Sequence, residues 1–253
     1  MKIGAIFSDY DGTLAREDLQ LEESKLPRPL EEILERIASS VPVCILTSKD
    51  LHFVQSRTSF ATAWACVGGL EIVLARGEAI REGGIGNVKD ALEFVKRIDT
   101  SGVAIELKRS VTGELLGFSI DWRYGPKPSQ QFIQSVSTEL TKRGLVVAHD
   151  GAQPFIDVFG ATPNKGRALA KLKELLDIRG GTMFIGDSHD DNLAFDEADV
   201  GIGVKHGQAL ENLTCKYVVD FSELPGMLTR LAQNDMAFDA AIPSRKRELA
   251  WLA

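Results

Sequence analysis

Residues 3–14 contain the stretch of sequence that decides the fold, Ile3-Gly4-Ala5-Ile6-Phe7-Ser8-Asp9-Tyr10-Asp11-Gly12-Thr13-Leu14. Its apolar first half predicts a buried strand, and the polar residues and glycine after Phe7 end that strand in a loop. Two later stretches repeat this arrangement. The apolar run 41–46 ends at Thr47-Ser48-Lys49, and the run 183–185 ends at Gly186-Asp187. Polar side chains therefore follow three predicted strands.

Helical segments separate these strands, which indicates an α/β fold. Apolar residues recur at helical spacing in residues 29–37 and again after Pro163. We expect Thr162 to cap the second helix, Pro163 to occupy its first position and Gly180-Gly181 to end it. Strands separated by helices pair in parallel, and ligands of such sheets collect at the carboxyl ends of the strands. We predict a Rossmann-like parallel-sheet core over residues 1–83 and 160–233.

The middle of the chain has a different rhythm. Gly83, Gly84 and Gly86 indicate a hinge near residue 84. From there to residue 159, two helical segments alternate with four short strand segments, which predicts a smaller α+β domain (84–159) inserted into the core. Residues 234–253 carry little pattern and are predicted to form a loosely attached tail.

The composition excludes several classes of protein. The chain has 253 residues and a net charge of -7, and it lacks the clustered cationic face that nucleic-acid binding needs. No apolar stretch approaches the ~18 residues of a membrane span, and the first apolar run reaches Asp9 too soon for a signal sequence. Its three cysteines are far apart, which predicts reduced core thiols. We expect a cytoplasmic protein without nucleic-acid or membrane partners; the sequence leaves its oligomeric state open.

Four acidic side chains are expected to meet at the strand ends: Asp9, Asp11, Asp187 and Asp191. Carboxylates gathered at one edge repel one another unless a cation holds them, and hard oxygen ligands suit Mg²⁺. In a hydrolase, an aspartate can accept a phosphoryl group while a metal and a lysine offset charge on the transferring oxygens. Thr47 and Lys165 are placed to supply such contacts.

Residues 9–12 are also compatible with a plain turn, but not with a calcium loop. Aspartate and glycine are common turn residues, so the stretch by itself could be a plain turn. A calcium loop fails on spacing, because counting from Asp9 puts Leu14 at the position of the invariant glycine and Gln20 at the position of the bidentate glutamate.

Four stretches resemble, in order and spacing, the four motifs of the haloacid dehalogenase superfamily: residues 9–14, Thr47, Lys165 and residues 186–191. The resemblance covers the core. It implies that Asp9 is the nucleophile and that Asp11 acts first as general acid and then as base. Thr47 and Lys165 would bind the phosphoryl group. Asp190 stands where many relatives have asparagine.

The same resemblance implies the metal and substrate ligands. Mg²⁺ would be held by Asp9, Asp187 and the backbone carbonyl of Asp11, with support from Asp191. Substrate contacts would come from Gly12, Thr13, Ser48 and Lys49. A second aspartate at position 11 implies phosphoester hydrolysis or phosphoryl transfer, because it can protonate a sugar or alcohol leaving group. Dehalogenating and cation-pumping members of the superfamily lack it.

The inserted segment resembles the α/β cap of these enzymes. Within it, residues 105–108 and 120–123 resemble paired strands of the trehalose-6-phosphate phosphatases, although Asp121 and Trp122 stand where that family usually has histidine and tyrosine. The implied sugar hydroxyl or phosphate contacts come from Glu106, Lys108, Arg123 and Asp157. Alternating charges on a strand more often form a solvated sheet face, so that interpretation stays open beside the sugar contacts.

We therefore expect a Mg²⁺-dependent sugar-phosphate phosphatase, most like the trehalose-6-phosphate phosphatases. Thr47-Ser48-Lys49 looks more like the corresponding stretch of the mannosyl-3-phosphoglycerate phosphatases. Mannosyl-3-phosphoglycerate and sucrose 6-phosphate therefore stay open as substrates, and a phosphomannomutase is a more distant alternative. A non-catalytic binding module of the same fold is the alternative from another class. Among the histidines, His189 is expected to face solvent, and His52, His149 and His206 are expected to be structural.

Overall fold

The computed structural model describes residues 1–16, 23–81, 84–98, 102–149, 151, 153–206, 212–242 and 245–246. The first five strands are β1 (Ile3–Ser8), β2 (Val43–Leu46), β3 (Ala63–Cys66), β4 (Glu71–Leu74) and β5 (Ala79–Arg81). The next four are β6 (Ala104–Arg109), β7 (Leu115–Asp121), β8 (Val146–Ala148) and β9 (Phe155–Phe159). The last four are β10 (Gly181–Gly186), β11 (Val200–Lys205), β12 (Tyr217–Asp220) and β13 (Arg245–Lys246).

These strands form two sheets within the described residues. The larger has the order β13-β12-β11-β10-β1-β2-β3-β4-β5, and the pairs from β12 through β3 are all parallel. Antiparallel pairing is confined to its two margins. The predicted α/β fold with a parallel-sheet core is therefore confirmed.

Helices cover both faces of the larger sheet. The α-helices of the described residues are α1 (Arg28–Ala38), α2 (Leu51–Val54), α3 (Val88–Arg97), α4 (Gln130–Lys142), α5 (Lys165–Leu175), α6 (Asn192–Glu197) and α7 (Leu224–Gln233). Side chains of β1 alternate between two core layers: Ile6 packs with α1 and α7, whereas Phe7 packs with α5 and α6. Burial on both faces explains why the parallel strands are continuous apolar runs.

The helix predicted to begin at Pro163 begins instead at Lys165. Its N-cap is Asn164, whose side chain accepts a hydrogen bond from the Arg167 backbone, and not Thr162 as predicted. The Asn164 backbone N–H donates to the Gly68 carbonyl at 2.8 Å, which draws the preceding segment towards the core sheet and out of the helix. The helix ends at Leu175, before the predicted end at Gly180-Gly181, because Asp177 has a left-handed φ of +46° and the Ile178 N–H donates back to the Lys173 carbonyl at 3.0 Å.

The predicted loose tail is wrong for the described residues after Asn234. Met236 and Ile242 are buried, and the Phe238 backbone N–H donates to the Met1 carbonyl at 2.7 Å. The two residues of β13 pair with β12. Apolar side chains and backbone pairing therefore hold this segment against the core.

The smaller sheet has the order β6-β7-β9-β8 and is antiparallel throughout. One face packs against α3 and α4 through side chains such as Phe118 and Val158. The two connections to the larger sheet run side by side, since the Gly86 backbone N–H donates to the Gly160 carbonyl at 2.7 Å. Gly84 and Gly86 of the predicted hinge lie there, whereas Gly83 lies outside the described residues. Movement of residues 84–159 as a separate domain stays a prediction.

Two carboxylates, the buried one of Glu71 and the half-buried one of Asp50, hold the end of β6 and the turn after it against the larger sheet. The Arg109 backbone N–H donates to Asp50 Oδ2 at 3.1 Å, and the Val111 N–H donates to the Glu71 carboxylate. Burial raises the pKa of Glu71. These contacts fix which face of the smaller sheet is turned towards the larger one.

In the part of the chain that the structure describes, every helix is too short or too polar to cross a membrane. Cys44, Cys66 and Cys215 are buried in the core, as predicted. Cytoplasmic location stays a prediction.

Candidate active site

The candidate site lies at the carboxyl ends of β1, β2 and β10. Asp9 follows β1, Thr47 follows β2 and Asp187 follows β10, and parallel register brings these ends to one edge of the sheet. Lys165 reaches the same edge as the first residue of α5. The structure thus brings together side chains that are separated by up to 178 residues (187 − 9) in sequence.

Lys165 joins two of the aspartates. Its Nζ lies 3.0 Å from Asp9 Oδ1 and donates to Asp191 Oδ1 at 2.6 Å, and all three side chains are buried. Burial alone would lower the pKa of Lys165, but Asp191 and Asp9 outweigh it and raise the pKa. The lysine is therefore held as a cation. Burial raises the pKa of Asp9 well above its ordinary value despite the opposing effect of Lys165.

Asp191 organises the loop after β10. Its Oδ2 accepts hydrogen bonds from the backbone N–H groups of Asp187 at 3.0 Å and Ser188 at 3.2 Å. A Cβ at Gly186 would lie 2.5 Å from the same oxygen, so only glycine lets the chain pass this closely. Asp191 therefore supports both the lysine and the backbone that carries Asp187.

The loop after β1 holds the Asp187 carboxylate from the other side. Thr13 Oγ1 donates to Asp187 Oδ1 at 2.6 Å. Gly12 has a φ of +76°, and a Cβ on it would lie 2.2 Å from Asp187 Oδ2. Gly12 and Thr13, predicted as substrate contacts, thus position an aspartate.

The acidic residues fit a divalent cation. Asp9, Asp187 and Asp191 each offer a carboxylate oxygen within 4.8 Å of the others. Oxygen donors of this kind suit Mg²⁺. The Asp11 carboxyl is outside this group, and its predicted coordination through the backbone carbonyl stays a prediction.

Asp11 faces the smaller sheet. Its side chain lines a cavity of about 240 Å³ over Asp9 and Lys165 and also an adjoining cavity of about 40 Å³ beside Glu106 and Lys108. Burial raises its pKa, and Glu106 raises it further, although Lys49 acts in the opposite direction. A carboxyl with a raised pKa is suited to carry a proton.

The loop after β2 contributes different side chains to the two cavities. Ser48 lines both cavities and Lys49 lines the smaller one, whereas Thr47 is fully buried and its Oγ1 accepts a hydrogen bond from the Lys49 backbone at 3.1 Å. Lys49 Nζ is 2.9 Å from Glu106 Oε2, across the junction of the two sheets. A direct phosphoryl contact by Thr47 stays a prediction.

The charged residues on the smaller sheet form one cluster that faces the site. Lys108 Nζ lies 2.9 Å from Asp157 Oδ1, Ser119 Oγ donates to that same oxygen, and Arg123 is 3.4 Å from Asp121. Lys108 is 1% exposed and Asp157 is 8% exposed, so the alternative of a solvated sheet face is wrong here. Strand register explains the grouping, because Glu106 pairs with Ser119, which in turn pairs with Asp157.

Comparison with known proteins supports one fold. No family model and no curated protein matches the sequence. A haloacid dehalogenase-like hydrolase from Bacteroides thetaiotaomicron superposes with a TM-score of 0.70 at 16% identity, covering 91% of this chain and 100% of its own. A trehalose-6-phosphate phosphatase related protein gives 0.69 at 19% identity, covering 92% and 98%. The C-terminal domain of trehalose-6-phosphate phosphatase from C. albicans gives 0.72 at 14% identity, covering 92% of each chain.

The chain has the haloacid dehalogenase fold. The fold that the sequence resemblance implied is therefore confirmed, and Asp9, Thr47 and Asp187 lie at the edge where ligands of such sheets bind. The catalytic roles of Asp9, Asp11, Thr47 and Lys165 stay predictions.

Sequence reasoning missed three residues at this candidate site. Ser119 and Asp121 belong to the cluster on the smaller sheet, and their two-residue spacing before Arg123, a predicted contact, could have found them. His206 was assigned a structural role, yet its Nε2 lies 2.7 Å from the Gly12 carbonyl oxygen in the loop after β1. No local signal could have found that contact, because 194 residues separate the two.

Proposed function

We propose that this protein is a Mg²⁺-dependent phosphatase that hydrolyses sugar phosphates through an aspartyl-phosphate on Asp9. The observation that carries the proposal is the placement of Asp11 between the Asp9–Lys165 pair and the charged cluster of the smaller sheet. A phosphoryl group beside Asp9 would put its leaving oxygen on the Asp11 side.

The residues support a two-step reaction. A carboxylate oxygen of Asp9 attacks phosphorus, the bond from phosphorus to the leaving oxygen breaks, and Asp11 gives its proton to that oxygen. Asp11, now ionised, takes a proton from water, whose oxygen attacks phosphorus and releases Asp9 with inorganic phosphate. Lys165 offsets negative charge on the phosphoryl oxygens.

Asp9, Asp187 and Asp191 would hold the metal, with Asp191 also bound to Lys165. When bound, Mg²⁺ supplies positive charge that stabilises the phosphoryl oxygens. Asp191 and Thr13 keep Asp187 oriented for this role through the backbone and side-chain hydrogen bonds described above.

The charged cluster supports an uncharged sugar as the leaving group. Carboxylates and amines that line a buried surface suit sugar hydroxyls, which both donate and accept hydrogen bonds. Each cation here already has a carboxylate partner: Lys49 with Glu106, Lys108 with Asp157 and Arg123 with Asp121. A leaving group with its own carboxylate would need an additional cation, so trehalose 6-phosphate is favoured over mannosyl-3-phosphoglycerate. Two of the similar structures carry trehalose-6-phosphate phosphatase in their names, which agrees with this choice.

Sugar access requires the two sheets to separate. The cavity inside the cluster measures about 40 Å³, which is room for no more than a few water molecules. Lys49 and Glu106 line it and form an ion pair across the two sheets. A sugar would therefore enter with that pair parted, which is consistent with movement of residues 84–159 about the paired connections at Gly86 and Gly160.

Phosphate release from a panel of sugar phosphates tests the proposal. With Mg²⁺ we expect the highest kcat/KM on trehalose 6-phosphate, a lower value on sucrose 6-phosphate and the lowest on mannosyl-3-phosphoglycerate. Removing the metal with EDTA should stop turnover, and added Mg²⁺ should restore it. Transfer to a second sugar without phosphate release would point to a mutase. No turnover of any ester, a generic aryl phosphate included, with several metals would favour a binding module.

Glu106→Gln tests the charge balance of the cluster. The substitution removes the partner charge of Lys49 while keeping a hydrogen-bonding side chain of the same shape. We expect kcat/KM on trehalose 6-phosphate to fall, and the ratio of kcat/KM on mannosyl-3-phosphoglycerate to that on trehalose 6-phosphate to rise. Glu114→Gln is the matched control. Glu114 directly precedes β7 and pairs with Arg81, and neither residue lines the two cavities. An unchanged ratio would contradict the argument that the paired charges disfavour a leaving group with its own carboxylate.

A further inference from the structure

His206 makes a long-range contact with the loop that carries Asp9 and Asp11. The residue follows β11, and its Nε2 lies 2.7 Å from the Gly12 carbonyl oxygen. A carbonyl oxygen only accepts hydrogen bonds, so Nε2 must carry the proton and donate it. On the other side the imidazole ring lies on Phe221, with 4.7 Å between ring centroids and 31° between ring planes. The ring is therefore held in place and aimed at Gly12.

The peptide group that His206 contacts joins two residues that touch Asp187. Gly12 packs its backbone against the Asp187 carboxylate, and Thr13 donates to Asp187 Oδ1. The carbonyl of Gly12 belongs to the peptide between them. A displacement of this peptide would carry the Thr13 hydroxyl and the Gly12 Cα with it, and both limit where the Asp187 carboxylate can lie. The hydrogen bond from His206 opposes that displacement.

We infer that His206 is a positioning residue of the metal site, acting on Asp187 through Gly12 and Thr13. This inference rests on the proposed function, because it takes Asp9, Asp187 and Asp191 as metal ligands. Outer hydrogen bonds that orient ligands typically change metal affinity by about 10- to 100-fold when removed. His206 acts one contact further away, so we expect a loss of about tenfold, at the lower end of that range.

His206 is exposed, so the inference can be tested by substituting this residue. The residue lies at the surface, so changing it is not expected to unfold the protein. His206→Phe keeps an aromatic ring against Phe221 and removes the donor. His206→Gln keeps an N–H donor and removes the ring. The pair separates the hydrogen bond from the stacking.

The test is Mg²⁺ binding to the substrate-free protein, measured by isothermal titration calorimetry. We expect the Phe variant to bind Mg²⁺ about tenfold more weakly than the wild type and the Gln variant to recover most of the affinity. The Mg²⁺ concentration for half-maximal phosphate release should rise by the same factor in the Phe variant, with a smaller change in KM for the sugar phosphate.

The outcomes distinguish this inference from the proposed function. Wild-type Mg²⁺ affinity in the Phe variant, with or without a lower Tm, would show that the contact is only structural and would overturn the inference. A Gln variant as weak as the Phe variant would also overturn it, because the stacking and not the hydrogen bond would then matter. Absence of Mg²⁺ binding in the wild type would overturn the metal site itself and this inference with it.

Discussion

Asp9→Asn is expected to abolish phosphate release from the preferred sugar phosphate, with a fall in kcat of about 10⁴- to 10⁶-fold. An amide cannot form the acyl phosphate, so neither step of the reaction can proceed through this residue. Asparagine has nearly the same shape, and Lys165 can still donate to its carbonyl oxygen from 3.0 Å. The measurement is single-turnover phosphate release with saturating Mg²⁺.

Thermal unfolding shows whether the Asp9 variant is intact. Burial and the neighbouring Asp191 and Asp11 disfavour the charged form of Asp9, which raises its pKa well above the usual range. Removing that charge should leave the metal-free Tm unchanged or higher. Asp190→Asn changes an exposed aspartate one residue from Asp191 and is the matched control, expected to retain activity. Turnover by the Asp9 variant near the wild-type rate would exclude the aspartyl-phosphate.

Asp11→Asn is expected to lower kcat on a sugar phosphate by about 10²- to 10⁴-fold, the usual contribution of a general acid or base. A sugar alkoxide is a poor leaving group and needs the proton that Asp11 supplies. A nitrophenolate leaves without being protonated, so the rate of the first step with 4-nitrophenyl phosphate should be close to that of the wild type. The second step still lacks its base. We therefore expect a burst of one nitrophenolate per protein molecule, followed by slow turnover.

The burst separates the role of Asp11 from a general disruption of the site. Mg²⁺ affinity of the Asp11 variant, measured by calorimetry, should stay close to that of the wild type, because the Asp11 carboxyl is outside the group of three that can hold a metal. Equal losses on the sugar and the nitrophenyl esters, without a burst, would remove Asp11 from the role of general acid.

Much of the core of the site could be predicted from local patterns. Apolar runs that end in polar residues mark the carboxyl ends of strands, and parallel pairing brings those ends together whatever the loops between them do. This reasoning placed Asp9, Thr47 and Asp187 at one edge, and the structure has them there. The helix cap was predicted less well, since the N-cap is Asn164, whose backbone N–H donates to the Gly68 carbonyl, and not Thr162.

The pairing register of β6, β7 and β9 decides which charged residues come together on the smaller sheet. The sequence predicts that Glu106 and Lys108 share one face of a strand, but it does not say whether that face meets water or protein. Pairing of Glu106 with Ser119, and of Ser119 with Asp157, groups the charges, and the contacts of Asp50 and Glu71 with the turn after β6 direct them at the site. Both facts depend on contacts between distant parts of the chain.

The amino-acid sequence alone determined the α/β fold and the strand ends that carry Asp9, Thr47 and Asp187, because strand ends and helix periodicity are local properties of the chain. Only the tertiary structure decided that Asp11 borders the charged cluster, that Asp191 holds both Lys165 and the backbone of Asp187, and that His206 reaches Gly12. The reason is physical: burial, charge pairing and hydrogen-bond direction depend on which surfaces pack together, and residues far apart in sequence supply those surfaces.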